Sequence, residues 1–156
     1  MQVKLRALTE ADALVSYKWR NNPIVWKYTG KRPDQEITPE IELKWIKDVL
    51  SRPDEVRYAI IADDSYVGNI QLTNLSANDA EFHIFIGETS YWGKGIATKA
   101  LTVFLDKIKK LNLKKIYLTV NKDNTAAVKL YKKVGFHECS QNAKTLYMEK
   151  LMEKDN

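Results

Sequence analysis

The chain has 156 residues, 44% hydrophobic and 29% charged, with a formal net charge of +5. That suits one globular domain with its own core and excludes a disordered or low-complexity chain. No apolar run is long enough to cross a bilayer, the opening MQVKLRALTEAD has no apolar signal core, and the single cysteine, Cys139, excludes an internal disulfide, so the cytoplasm is the expected compartment and Cys139 is expected as a small half-buried side chain.

In chain order, residues 2–8 alternate apolar and polar side chains, which predicts a strand. Thr9 followed by Asp12 reads as a capping box with Asp in place of Glu. It opens a helix to about Arg20 with Ala13, Leu14, Tyr17 and Trp19 facing inward, and Asn21-Asn22-Pro23 ends it. Residues 21–38 read as irregular. They hold Trp26 and Tyr28 beside Lys27, Lys31 and Arg32, and the two aromatics either cover the core or line a binding loop. Thr38 then caps a helix with Pro39 at its first position and an apolar face of Ile41, Trp45, Ile46, Val49 and Leu50.

Residues 56–62 and 66–73 predict a hairpin closed by Asp63-Asp64-Ser65, with Gly68 marking a bulge or a close backbone approach. Residues 75–79 form a turn. Residues 80–87, AEFHIFIG, predict a central strand, apolar on both faces near its end. YWGKG follows, and residues 98–110 have helical apolar spacing at Ala100, Leu101, Phe104, Leu105 and Ile108. Residues 115–121 predict another strand buried on both faces. Asp123 or Asn124 caps a helix through Val134, with Ala126, Ala127, Leu130 and Tyr131 on one side and Gly135 as its stop. Residues 136–140 and 144–151 are two short final strands, and 153–156 are expected to fray. One domain over 1–152 results: an α/β arrangement with a mixed sheet and helices on both faces.

The strand–glycine–helix passage carries the chemistry. Gly93 and Gly95 let the backbone take positive φ and approach a ligand closely. The first helical N–H groups have no partners within the helix, and with the dipole they favour a phosphate. Lys94 adds a mobile charge. The passage is neither a Walker loop nor the dinucleotide fingerprint, whose spacings are not met. A tight turn and an anion site both remain open from these residues alone. The lysines at 107, 109, 110, 114 and 115 form the densest basic group, but no recognition motif accompanies them, so nucleic acid is not an expected partner, nor is a membrane.

Trp92-Gly93-Lys94-Gly95-Ile96-Ala97 resembles the phosphate loop of the Gcn5-related N-acetyltransferase (GNAT) family, Gln/Arg-x-x-Gly-x-Gly/Ala, with Trp92 at the Gln/Arg position as in the family's YWGKG variants. NKDNTAAVKLYKKVGF, residues 121–136, resembles the family's second cofactor segment, and the order of elements agrees throughout. The resemblance implies a GNAT fold with a mostly antiparallel sheet of six to seven strands. It also implies transfer of an acetyl group from acetyl-CoA to a primary amine. It places pantetheine along Ile84, Phe85 and Ile86, where the central strand splays from its neighbour, and the pyrophosphate at Trp92, Gly93, Lys94, Gly95, Ile96, Ala97 and Thr98. Asn121, Asn124 and Ala127 follow along the cofactor arm, with Asn124 equally readable as a plain helix cap.

Tyr131 matches the tyrosine that protonates the leaving thiolate; without the resemblance it reads as a core tyrosine. Glu81 and His83 are two apart on one strand and so share a face, and either is the candidate base. His has the better ordinary pKa and Glu81 the better family precedent. No metal ligand set is assigned. The segment LVSYKWRNNPIVWKYTG resembles two branches of the family, one acetylating protein N-termini and the other nucleotide-linked amino sugars. It makes Arg20, Asn21, Trp26 and Tyr28 the candidate acceptor residues. A nucleotide-linked amino sugar, a protein N-terminus and a non-catalytic acyl-CoA sensor are the readings carried forward. A homodimer is left open.

Overall fold

The computed structural model describes residues 1–29 and 31–153, without the side chains of Tyr28 and Thr29. Seven strands form one sheet: β1 (Val3–Ala7), β2 (Val56–Ala62), β3 (Ser65–Thr73), β4 (Asp79–Ile86), β5 (Lys115–Asn121), β6 (His137–Gln141) and β7 (Thr145–Leu151). Five α-helices accompany it among the described residues: α1 (Ala13–Asn21), α2 (Pro23–Thr29), α3 (Pro39–Leu50), α4 (Ile96–Ile108) and α5 (Thr125–Lys133). The strand order is β1-β2-β3-β4-β5-β7-β6. Among the described residues only β4 and β5 run parallel, joined by the crossover through α4.

Alternation along β2 shows how the layers arise. Ala59 and Ile61 face a cluster with Ala13 of α1 and Ile46 of α3. Ile60 and Ala62 face the main core with Ala100, Leu101 and Phe104 of α4. Helices therefore cover both faces, and β4 lies at the centre. Burying Phe104 and its neighbours contributes about 1.5–3 kcal/mol per large side chain. The expected bulge at Gly68 is present: Ile60 pairs with Gly68 but Ile61 with Tyr66, leaving Val67 as the extra residue. The close approach is present too, since a Cβ on Gly68 would lie 2.3 Å from the Phe85 carbonyl oxygen.

Several expectations need correction. Residues 23–29 are helical, not irregular. Asn22-Pro23 ends α1 and also starts α2: Asn22 Oδ1 accepts the Ile24 N–H at 3.0 Å, and Pro23 occupies the first helical position. In α1 the buried positions are Ala13, Ser16 and Trp19, while Leu14 is exposed. Ser16 goes inward because Glu42 of α3, itself buried, accepts its hydroxyl at 2.8 Å and the Arg20 guanidinium at 2.8 Å. Leu50 of α3 is likewise exposed. β5 buries only Ile116, Leu118 and Val120; Thr119 and Asn121 on its other face are exposed. The end of β4 is half-buried rather than enclosed. Cys139 is exposed, on edge strand β6. Of the four C-terminal residues expected to fray, Glu153 is exposed and in no element, and 154–156 lie outside the described residues.

Gly87, just after β4, fixes where α1 lands. A Cβ there would lie 2.0 Å from Trp19 Cδ2. Trp19 cannot retreat easily: its indole N–H donates to Glu88 Oε1 at 2.8 Å, and its ring meets Tyr66 at 4.7 Å and Phe85 at 5.8 Å. Gly87→Ala is expected to cost about 2–3 kcal/mol by overpacking. That lowers the melting temperature by roughly 4–12 °C. An unchanged melting curve would show that α1 moves freely over the sheet end.

Candidate active site

The register places an opening in the middle of the sheet. β4 and β5 pair only at Asp79–Lys115, Ala80–Ile116 and Glu81–Tyr117. Beyond that point β4 stays on β3 as far as Ile86, and β5 stays on β7 as far as Asn121. The two strands therefore part after Glu81, and among the described residues no strand lies on the β5 side of Phe82–Ile86. Peptide groups along such an edge need partners, and an extended ligand chain supplies them. Ile84 and Ile86, half-buried at the margin of the core, line the opening with apolar surface.

At the far end of β4 the chain turns through Gly93 (φ +74) and Gly95 (φ +76) into α4. Trp92 docks this turn back onto the strand, its indole N–H donating to the Ile86 carbonyl at 2.8 Å. Ile96 plants its side chain in the core, 2% exposed. Lys99 N–H is the first to bond backward, to the Gly95 carbonyl at 3.2 Å. Gly95 is the N-cap residue and has no side chain to accept from the helix. So the N–H groups of Ile96, Ala97 and Thr98 have no acceptor among the described residues. Added Cβ atoms on Gly93 or Gly95 would meet nothing within 4 Å. The cradle is open, with a positive dipole end worth about 0.3–2 kcal/mol to an anion. Lys94 Nζ lies 5.4 Å from the centre of the Tyr91 ring. From Thr98 a groove of about 470 Å³ runs between α4 and α5, lined also by Thr102, Leu105, Asp106, Lys109, Lys133 and Val134. Sequence spacing does not bring Thr102 and Lys133 together, because they reach one groove from two helices distant in the chain.

Tyr131 of α5 is 8% exposed, and its ring packs edge-on to Phe82 at 6.2 Å and against Phe136 at 5.7 Å. Burial pushes its phenol up to about 12, so it is protonated at neutral pH. Its hydroxyl makes no hydrogen bond with the described residues. Asn124 caps α5, its Oδ1 accepting the Ala127 N–H at 3.2 Å. Asn121 accepts the Asp123 N–H at 2.9 Å, forming the turn between β5 and α5.

Glu81 and His83 do share a face, opposite to Phe82 and Tyr131. His83 Nε2 lies 3.0 Å from Glu81 Oε2 and 3.1 Å from Thr73 Oγ1. Burial holds the His83 pKa below its ordinary value; Glu81 pulls it up, and Lys31 and Arg57 push it down. The imidazole is therefore neutral at pH 7. With Nε2–H donated to Glu81, Nδ1 keeps a lone pair. The acid and base candidates thus lie on opposite faces of β4. The gap between β4 and β5 lies between the two faces.

The candidate acceptor residues are more dispersed. Arg20 pairs with Glu42 and lies 5.6 Å over the Trp45 ring. Asn21 exchanges two 2.8 Å hydrogen bonds with the backbone of Ile37, tying the end of α1 to the segment before α3. Both side chains already have structural work. Trp26 on α2 is half-buried with Arg32 Cζ 5.5 Å over its ring. The side chain of Tyr28 lies outside the described residues.

A family model described as "Acetyltransferase (GNAT) domain" matches residues 2–137. The chain is 34% identical over 139 residues to spermidine N(1)-acetyltransferase of Escherichia coli K12, covering 86% of this chain and 72% of that one. It is 27% identical over 144 residues to the uncharacterized protein MJ1062 of Methanocaldococcus jannaschii, covering 86% of this chain but only 28% of that protein. Among solved structures, spermidine N-acetyltransferase of Vibrio cholerae, in complex with CoA and spermine, superposes with a TM-score of 0.86 at 27% identity. The match covers 97% of this chain and 96% of that one.

Proposed function

Because this chain belongs to the GNAT family of acetyl-CoA-dependent N-acetyltransferases, we propose that it acetylates a primary amine of a small polyamine of the spermidine class. The observation that carries the reading is the parting of β4 from β5 after Glu81, beside the unpaired amides of α4. Acetyl-CoA fits that geometry at both ends. Its pyrophosphate suits the N–H groups of Ile96, Ala97 and Thr98, and its pantetheine suits the edge of Phe82–Ile86.

In the mechanism, His83 takes the proton of the attacking amine through Nδ1, and Glu81 holds the imidazole by its Nε2–H. The neutral amine attacks the thioester carbonyl as its N–H proton passes to Nδ1, and the tetrahedral adduct collapses with cleavage of the carbon–sulfur bond. Tyr131 gives its proton to the departing thiolate on the other side of β4, after which the imidazolium loses its proton to solvent and the phenolate regains one from it. No covalent enzyme intermediate is needed. The acceptor class rests on the named substrates of the relatives and on Glu81, whose charge suits a cationic chain. A nucleotide-linked amino sugar is the second reading. It is favoured by Arg32 over Trp26 and by the positive field of Lys31 near His83, which suit a base and its phosphates.

Thiol release with a panel of amines separates the readings. Spermidine is expected to be turned over far faster than a nucleotide-linked amino sugar or an N-terminal peptide, and the reverse order would replace the first reading by the second. A chain that binds acetyl-CoA but releases no thiol with any amine is a sensor.

The pH profile of kcat/KM tests the base. Activity should fall as pH drops through the His83 pKa, which burial places below 6.5. Glu81→Gln removes a charge that raises that pKa, so the acidic limb should move to still lower pH. His83→Ala should abolish the limb. A limb that survives His83→Ala and disappears in Glu81→Gln would transfer the base role to Glu81.

A further inference from the structure

A second group of chemically distinctive side chains lies away from the cofactor opening. It sits on the sheet face that β5, β7 and β6 leave exposed. His137 on β6 is paired in register with Glu149 on β7. The register slips between Glu138 and Ser140, so Cys139 is the extra residue of a bulge. Its thiol projects to the same side, donating to Glu149 Oε1 at 3.3 Å. A ligating atom from each of His137, Cys139 and Glu149 falls within 4.8 Å of the other two. Around one zinc ion, donor atoms at about 2.0–2.3 Å lie at most about 4 Å from one another. Rotamer changes of two exposed side chains close that difference.

We infer that His137, Cys139 and Glu149 form a binding site for a thiophilic divalent cation of the zinc class, separate from the acetyl-transfer site. Three features point there. Imidazole, thiol and carboxylate from three positions select zinc or its neighbours over magnesium and calcium. The carboxylate is already oriented as ligands of a metal usually are: Glu149 Oε2 accepts from Tyr147 Oη at 3.1 Å and from Lys115 Nζ, which leaves Oε1 facing the thiol. The proton now between Sγ and Oε1 occupies the place where a metal would bridge them. Binding would release that thiol proton to solvent and form Zn–S, Zn–O and Zn–N bonds, with water in the fourth position. No redox change is involved.

The test uses the intact protein and cobalt(II) as a spectroscopic stand-in, followed by zinc competition. One equivalent of cobalt is expected to bind with a near-ultraviolet sulfur-to-metal charge-transfer band. The band should disappear in Cys139→Ser, and affinity should fall at least about tenfold in His137→Ala. Absence of the band, or wild-type affinity in His137→Ala, would overturn the assignment. A measurement on the unaltered chain guards against variants that misfold: one equivalent of zinc should slow alkylation of Cys139 at least about tenfold. An alkylation rate unaffected by zinc would equally overturn it.

Discussion

Tyr131→Phe is expected to lower kcat by about 100-fold or more, the usual contribution of a positioned general acid, while acetyl-CoA affinity stays nearly unchanged. The substitution removes one oxygen and keeps the ring that packs on Phe82 and Phe136. The fold and the walls of the opening should therefore survive. The hydroxyl has no hydrogen-bond partner among the described residues and a phenol pKa raised to about 12 by burial. A phenol held protonated is able to donate, which is the role the family resemblance assigns to Tyr131. Single-turnover kinetics with saturating acetyl-CoA measures the effect directly. Turnover within about tenfold of wild type would remove Tyr131 from the chemical step and leave water as the proton source.

Gly95→Val is expected to weaken acetyl-CoA binding by more than about 100-fold, or about 2.7 kcal/mol, with the chain still folded. The reasoning separates ligand from fold. Gly95 has φ +76, a region that a β-branched residue occupies only with strain of about 1–3 kcal/mol. Its added Cβ meets no protein atom within 4 Å, so nothing in the core is displaced. Two outcomes are open to the turn, and both harm binding. It keeps its shape and the valine fills the space of the pyrophosphate, or it relaxes to negative φ and turns the first α4 amides away. Calorimetric titration with acetyl-CoA, alongside a circular dichroism spectrum, distinguishes lost binding from lost structure. A folded Gly95→Val protein with wild-type affinity would place the pyrophosphate elsewhere.

The geometry of the candidate cofactor side was legible in the sequence because its parts are local. Gly93 and Gly95 announce a turn that only they adopt easily, and the helix that follows exposes its amides whatever packs around it. Asn124 and Thr38 stand at helix starts and cap them, bonding to Ala127 and Ile41. Glu81 and His83 fall on one face because strand geometry gives no alternative. Where local reasoning failed, a distant residue had changed the balance. Ser16 displaced Leu14 from the buried face of α1 because Glu42, 26 positions later, offered it a partner. Asn22-Pro23 was read as a stop and is also a start, since the same dipeptide that breaks one helix sets φ for the next.

The acceptor side was less legible. Arg20 and Asn21 belong to a segment whose family likeness suggested substrate contact. Tertiary structure engages Arg20 with Glu42 and Asn21 with Ile37, so their placement follows from packing between α1, α3 and the segment joining them. The meeting of His137, Cys139 and Glu149 had no signal in spacing alone, because it depends on the pairing of β6 with β7 and on the bulge at Cys139.

By itself the sequence determined the seven strands, the placing of β4 at the centre and the glycine turn that opens α4. These follow from alternation, capping and backbone freedom over a few neighbouring residues. Only the tertiary structure decided where β4 leaves β5, which sheet face stays uncovered, and that the acid and base candidates stand on opposite sides of one strand. Those features depend on register between segments some 36 residues apart, as in the pairing of Glu81 with Tyr117. No local preference encodes a distance of that kind.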